Sequence, residues 1–189
     1  MSNNIALLVM DYQNGILGNV SNAEALLKNA RKAIDTARRY GATIGYVRVA
    51  FDETDIQALP ERNKMAAFVA QHRDRVRNGS QATAIHDTVA PLPGDIVVRK
   101  TRVGPFTTTD LEQQLRARDV DTLVLAGVST SGVVLSTVRE AADRDYKLFV
   151  LSDACGDSAP DAHDCLIEKV FPRQADVITV EELEARVFG

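Results

Sequence analysis

The sequence predicts a three-layer α/β/α sandwich built on a six-stranded, mainly parallel sheet. Three observations carry this. Six short runs are apolar nearly throughout instead of alternating, which marks strands covered on both faces. Longer amphipathic runs with helix start and stop signals stand between them. Strand-like and helix-like segments therefore alternate along the chain, the pattern of parallel α/β layers. At 189 residues, 45% hydrophobic and 25% charged, the chain is expected to build a single domain over 1–189 with a substantial core.

The strand runs are Ile5–Met10, Thr43–Val49, Asp95–Arg99, Thr122–Ala126, Lys147–Leu151 and Asp176–Val180. After the first, Ser21 and Glu24 form a capping-box pattern. Leu26, Leu27, Ala30, Ala33, Ile34 and Ala37 then make one helical stripe, with Gly41 placed to end it. Thr109 and Glu112 repeat the capping pattern ahead of Leu111 and Leu115. Further helices are expected from about Ser131 into 141–144, over Pro160–Val170 and over Glu181–Phe188. The stretch from Phe51 to Gln81 is too long for a simple connection and predicts a helix around Asn63–Arg75. Two readings of it stand, a substrate lid and a surface helix closing a sheet edge.

Composition narrows the function classes. Net charge is −4, with 22 basic residues against 26 acidic ones, which argues against a nucleic-acid surface. The one basic cluster, residues 73–77, reads as a solvated helix face. Tryptophan is absent, which disfavours a stacking platform for single strands. The apolar run Ile5–Met10 is too short for a signal-peptide core or a membrane span, so a cytoplasmic protein with no membrane partner is expected. Cys155 and Cys165 make no disulfide framework or zinc pattern, and the histidines at 72, 86 and 163 are scattered.

Sites in open parallel sheets lie beyond the carboxyl ends of the strands. Asp11 follows the first strand, Lys100 the third, and the Gly127–Gly132 turn follows the fourth and opens a helix. A lysine can hold a carboxylate ionised or steady a developing anion, and N–H groups at a helix start can bind an oxyanion. An Asp after a strand is also a common capping or turn residue. Arg48 can meet an anionic substrate or form a structural salt bridge. Phe51 and Phe106 can wall an apolar pocket or pack in the core.

The residues Leu7 to Asn14, reading Leu-Leu-Val-Met-Asp-Tyr-Gln-Asn, resemble the opening motif of the isochorismatase-like, or cysteine hydrolase, superfamily. Lys100 to Phe106 is similar to its lysine segment, and Thr122 to Gly132 to its strand, Gly-Val-x-Thr turn and helix. Asp153 to Gly156 resembles the turn after its next strand. The ordered set covers nearly the whole chain. The resemblance implies strand order 3-2-1-4-5-6, a cis peptide at Val128–Ser129, and a homodimer or higher homo-oligomer. It also implies a cofactor-free hydrolase of a small molecule. Asp11 and Lys100 are its catalytic pair, and Gln13, Arg48, Phe51, Phe106, Val128, Ser129, Thr130, Gly132 and Val133 are its substrate-binding positions.

The chain departs from that pattern where the family carries its cysteine nucleophile, because Val133 stands there. Valine has no lone pair and cannot attack a carbonyl. One reading is acid–base chemistry on a vinyl ether, an amide or a related C–N bond without a covalent intermediate, as isochorismatases manage without that cysteine. The Ser129-Thr130-Ser131 turn, however, resembles the amidohydrolase branch. A second reading displaces the nucleophile to Cys155, against ordinary packing of a small buried thiol. A third is a non-catalytic binding protein on the same scaffold, whose pocket side chains would fill. Cys165 is expected to pack within its helix. The family's metal-binding region reads Phe51 to Asp55 here, without histidine. No metal is expected, and the acidic loop reads as solvated or as a carboxylate-only site.

Overall fold

The computed structural model describes residues 4–189. Six parallel strands form one sheet in the order β3-β2-β1-β4-β5-β6, as the resemblance implies. They are β1 (Ile5–Met10), β2 (Thr43–Val49), β3 (Ile96–Lys100), β4 (Thr122–Val128), β5 (Lys147–Gly156) and β6 (Asp176–Ile178). The helices are α1 (Asn14–Leu17), α2 (Ala23–Arg39), α3 (Glu53–Gln57), α4 (Lys64–Gln71), α5 (Arg73–Val76), α6 (Leu111–Arg116), α7 (Leu135–Ala142) and α8 (Pro160–Cys165). Among the described residues no helix is long and apolar enough to cross a membrane.

Both faces of the sheet are covered, which is why its strands read as continuous apolar runs. Alternate residues of β1 serve opposite cores. Leu7 and Val9 pack with Leu26, Ala30 and Ile34 of α2. Leu8 and Met10 pack with Leu111 and Leu115 of α6 and Val138 and Ala141 of α7. Gly45 on β2 leaves room for Leu8, whose Cδ2 lies 2.7 Å from where a Cβ would stand.

Several local expectations shift. The helix α2 starts at Ala23 behind Asn22, with no side-chain cap, so Ser21 and Glu24 form no capping box. Its end is as expected. Gly41 takes φ +70°, and the Ala42 N–H returns to the Ala37 carbonyl at 3.0 Å. Thr109 accepts from the Leu111 N–H at 3.1 Å, but Glu112 turns to Arg116 instead of closing the box. The capping box that does form is Asp52 with Asp55, at the start of α3.

The Asp153–Gly156 segment, expected as a turn, continues β5. The register slips between Leu125↔Val150 and Gly127↔Cys155, so the intervening residues bulge out of the ladder. Their polar groups find partners on neighbouring elements. Ser152 donates to the Ile178 carbonyl, and Asp153 accepts from the Val180 N–H at 2.9 Å. The helix after β4 begins as a π turn, Thr130–Val134, and runs into α7. Cys165, expected to pack, is exposed, because α8 is a six-residue helix with no buried side chain.

Candidate active site

The β1 strand delivers Asp11 to the carboxyl edge of the sheet between the ends of β2 and β4, since Met10 stands opposite both Val47 and Gly127. Asp11 takes a left-handed backbone conformation, φ 58°, which turns the chain sharply at the strand end. Lys100, the last residue of β3, pairs in register with Val49. Two strand spacings, about 10 Å, separate the two backbones, a gap that an extended lysine and a short carboxylate span together. Lys100 Nζ meets Asp11 Oδ2 at 2.9 Å and donates to the Arg102 carbonyl at 3.2 Å. Both side chains are buried.

Asp11 Oδ1 is buried and has no hydrogen-bond partner among the described residues. Burial holds the Asp11 carboxyl above its usual range, and the Lys100 charge and hydrogen bond act against that rise without cancelling it. The carboxyl group thus has one oxygen anchored by Lys100 and one without a partner among the described residues.

Asp11 and Lys100 line a cavity of about 480 Å³, the size of a small-metabolite site. Of the sequence-predicted binding residues, Gln13, Phe51, Val128, Ser129, Gly132 and Val133 line it with them. Gln13 does so with its amide already engaged. It donates to the Val49 and Thr83 carbonyls at 2.8 and 2.7 Å and accepts from the Val49 N–H at 2.8 Å, which makes it a clamp on the cavity wall. Val133 presents an apolar side chain at the cysteine position. The Val128–Ser129 peptide is cis. Ser131 offers its N–H and hydroxyl to Asp157 at 2.7 Å, and the Gly132 N–H turns back to the Ser129 carbonyl at 3.2 Å. The Ser129 hydroxyl has no partner among the described residues and is the donor this turn offers. A Cβ on Gly132 would come within 2.7 Å of that hydroxyl oxygen.

Three expected residues lie elsewhere. Phe106 is turned into the core behind the site, stacked with Tyr146 at 6.4 Å between centroids. Arg48 donates to Asn78 Oδ1 at 2.7 Å, so its neighbour Val49 faces the cavity instead. Thr130 is buried, its hydroxyl 2.8 Å from His163 Nδ1. Cys155 is also buried, its thiol pushed up to about 12 by burial, and it packs among core residues away from the cavity. That thiol is poorly placed to be a displaced nucleophile. The acidic loop is neutralised internally, because Arg99 reaches Asp52 at 3.1 Å and Asp55 at 2.6 Å. Among the described residues no cluster of three His, Cys, Asp or Glu side chains could hold a metal ion.

The segment with two open readings forms part of the site. Met65, Phe68 and Val69 of α4, with His72, Arg75 and Val76 beyond it, make one wall. Gly15, Ile16 and Asn19 close another side with Ala82 and Thr83. Val69 packs on Phe51 and Leu59, which ties this wall to the end of β2. The amphipathic pattern of 63–75 gave the helix. No local signal aims it at a carboxylate more than fifty positions away in the chain.

A carboxylate, a lysine and a helix start stand together at the carboxyl edge of an open α/β sheet, where sites of this fold class lie. Residues 5–182 match the isochorismatase domain, and the chain belongs to the isochorismatase family of hydrolases. It is 33% identical over 181 residues to the isochorismatase family protein YecD of Escherichia coli O157:H7, covering 94% of this chain and 93% of that one. It is 30% identical to the ureidoacrylate amidohydrolase RutB of Agrobacterium fabrum, covering 94% and 82%. The crystal structure of N-carbamoylsarcosine amidase from Thermoplasma acidophilum superposes with a TM-score of 0.77 at 27% identity, covering 95% of this chain and 98% of that one.

Proposed function

We propose that the protein hydrolyses a C–N bond of a small carbamoyl or ureido compound, with water as nucleophile and Asp11 as proton carrier. The observation that carries this reading is the Asp11–Lys100 pair at 2.9 Å, whose second carboxylate oxygen is unpartnered and belongs to an open cavity. An open cavity with this pair intact supports an enzyme over a binding protein on a retired scaffold, in which side chains would fill the space. The amidohydrolase names of two relatives and the Ser129-Thr130 turn favour a C–N bond over a vinyl ether.

In this scheme Asp11 Oδ1 removes a proton from water as the water oxygen bonds to the substrate carbonyl carbon. The carbonyl electron pair moves onto oxygen, where Lys100 and the Ser129 hydroxyl are the available stabilising groups. The C–N bond then breaks and the nitrogen leaves with the proton from Asp11. The acyl carbon ends as an acid and the nitrogen as an amine, with Asp11 restored. Val133 contributes shape and forms no bond.

The test is amine release from a panel of N-carbamoyl acids, ureides, simple amides and vinyl ethers. Turnover of a carbamoyl or ureido compound that resists iodoacetamide, leaves no substrate-derived acyl adduct on the protein and falls about 10²- to 10⁴-fold in Asp11→Asn is expected. Cleavage of vinyl ethers alone, or full activity in Asp11→Asn, overturns the reading.

A further inference from the structure

The turn after β4 divides its residues between two tasks. Ser129, Gly132 and Val133 line the cavity. Thr130 and Ser131, between them, send their polar groups to the segment that follows β5. One oxygen of Asp157 accepts from both the Ser131 N–H and the Ser131 hydroxyl, at 2.7 Å each. Its other oxygen accepts from the Ala159 N–H at 3.1 Å. His163, on α8, places Nδ1 2.8 Å from the Thr130 hydroxyl, and its own N–H bonds to the Ala159 carbonyl at 3.1 Å. Ala159 therefore links the two arms of one clamp. The strand register brings the clamp there, because Val128 pairs with Gly156 and the chain leaving β5 arrives beside the turn.

Asp157 and His163 stand outside the cavity wall, and the reaction scheme uses neither. A cap for α8 alone would need only the bond to Ala159. The second Asp157 oxygen is spent instead on a residue 26 positions earlier in the chain. Burial alone would raise the Asp157 carboxyl, but the Ser131 N–H and hydroxyl, the Ala159 N–H and His163 hold it below its usual range. The clamp is thus a charged acceptor at neutral pH, the stronger kind of hydrogen bond. It grips the two residues next to Ser129, whose hydroxyl is the donor this turn offers to the cavity. A donor aimed at developing charge is effective because it is held in place beforehand.

We propose that Asp157 and His163 are positioning residues that hold the turn so that the Ser129 hydroxyl faces into the cavity. This rests on the hydrolase reading above, in which that hydroxyl meets the substrate's carbonyl oxygen. Asp157→Asn keeps an acceptor for the Ser131 N–H, and His163→Asn keeps a polar atom near the place of Nδ1. Asp157→Ala and His163→Leu keep neither.

The experiment takes two readouts on these four variants and the native chain. The first is amide hydrogen exchange at Gly132 and Val134, whose N–H groups both return to the Ser129 carbonyl, at 3.2 and 3.3 Å. They report the turn without touching Asp157 or His163. Asp157→Ala and His163→Leu should speed their exchange about tenfold or more, while the amides of β1 keep their rates. The second is hydrolysis of N-carbamoylglycine and of ethylurea. Asp157→Ala should lower kcat about 10- to 100-fold and change KM less than about threefold, and both Asn variants should recover most of the loss. In a Ser129→Ala background Asp157→Ala should cost less than about twofold, because the group it positions is gone. A merely structural role costs the same in both backgrounds. Unchanged exchange at Gly132 and Val134, or an equal loss of kcat in the two backgrounds, overturns the proposal. Faster exchange with neither probe hydrolysed, or with hydrolysis indifferent to Asp11→Asn, counts against the hydrolase reading and leaves the hold on the turn in place.

Discussion

Lys100 Nζ lies 2.9 Å from one carboxylate oxygen of Asp11, while the other oxygen of the same group is buried without a partner among the described residues. A group satisfied on both oxygens would be a structural ion pair. A group satisfied on neither would be costly to keep buried. The half-satisfied state is the one that leaves an oxygen available for a water molecule or a substrate proton.

The two partners should differ in what their removal costs. Asp11→Asn leaves a buried ammonium with no counter-charge and is expected to lose about 3 kcal/mol of stability. Lys100→Met leaves a carboxyl that can take a proton, so its loss should be smaller and should grow with pH. The double variant, with both charges gone, should recover most of the stability of the native protein. Urea unfolding of the four proteins at pH 5.5 and 8 measures this cycle, and additive losses in the double variant would show that the pair is not coupled.

The pH dependence follows from the direction of the Asp11 shift. Its carboxyl is raised from 3.8 by burial, so the folded chain holds that proton more tightly than the unfolded chain. The sign is then fixed. Stability contributed by the protonated form is present below the unfolded value and is lost as pH rises through the folded value. If Asp11 is the base that opens the reaction, kcat/KM rises with pH through that same elevated value. Lys100 pulls the carboxyl down, so Lys100→Met should move the acidic limb of the profile to higher pH as well as lowering its plateau. A limb that stays in place would separate Lys100 from the ionisation of Asp11.

The thiols should sort by position. Cys165 is exposed and Cys155 is buried with its thiol pushed up to about 12. Iodoacetamide at pH 8 is expected to label Cys165 in the folded protein and to reach Cys155 only after unfolding. Cys155→Ala should leave turnover unchanged and cost about 1 to 2 kcal/mol, the loss of a small buried side chain. Mass spectrometry of labelled peptides checks the first statement. A large loss of activity in a folded Cys155→Ala protein would contradict the second.

How far the sequence reached depends on whether a signal was local. The strand cores were legible because burial on both faces leaves runs such as Leu7–Met10 with no polar residue. Ser152 and Asp153 broke the fifth run, and only the structure shows their polar groups bonding to Ile178 and Val180 while the strand continues. Asp11 and Lys100 were legible from their places at strand ends and from the resemblance. Phe106 was misjudged because an aromatic near the lysine segment reads equally well as pocket wall or as core, and Tyr146, forty positions later, decides for the core. The cavity-wall residues Met65, Phe68 and Val69 read as one more amphipathic helix. Only the docking of α4 against Phe51 turns them toward the cavity.

Val133 offers the sharpest test of the site. It is buried, lines the cavity with Asp11, and lies in the π turn Thr130–Val134 beside Gly132, which with Ser129 also faces that space. Cysteine is smaller than valine and apolar enough for the position, so Val133→Cys should fold with a loss of about 1 kcal/mol or less. The new thiol would stand on the same wall as a carboxylate able to take its proton and a lysine able to hold the charge, the arrangement that activates a nucleophile. The variant is expected to gain hydrolysis of carbamoyl compounds that is abolished by iodoacetamide, with label on residue 133 in addition to that on Cys165 and an acyl intermediate trapped on rapid quench. Native turnover should resist the same reagent. A Val133→Cys protein that folds, alkylates at residue 133 only when unfolded and gains no thiol-sensitive activity would mean that residue 133 does not face the carbonyl that Asp11 serves. The water-based scheme would then need a different placement of the substrate.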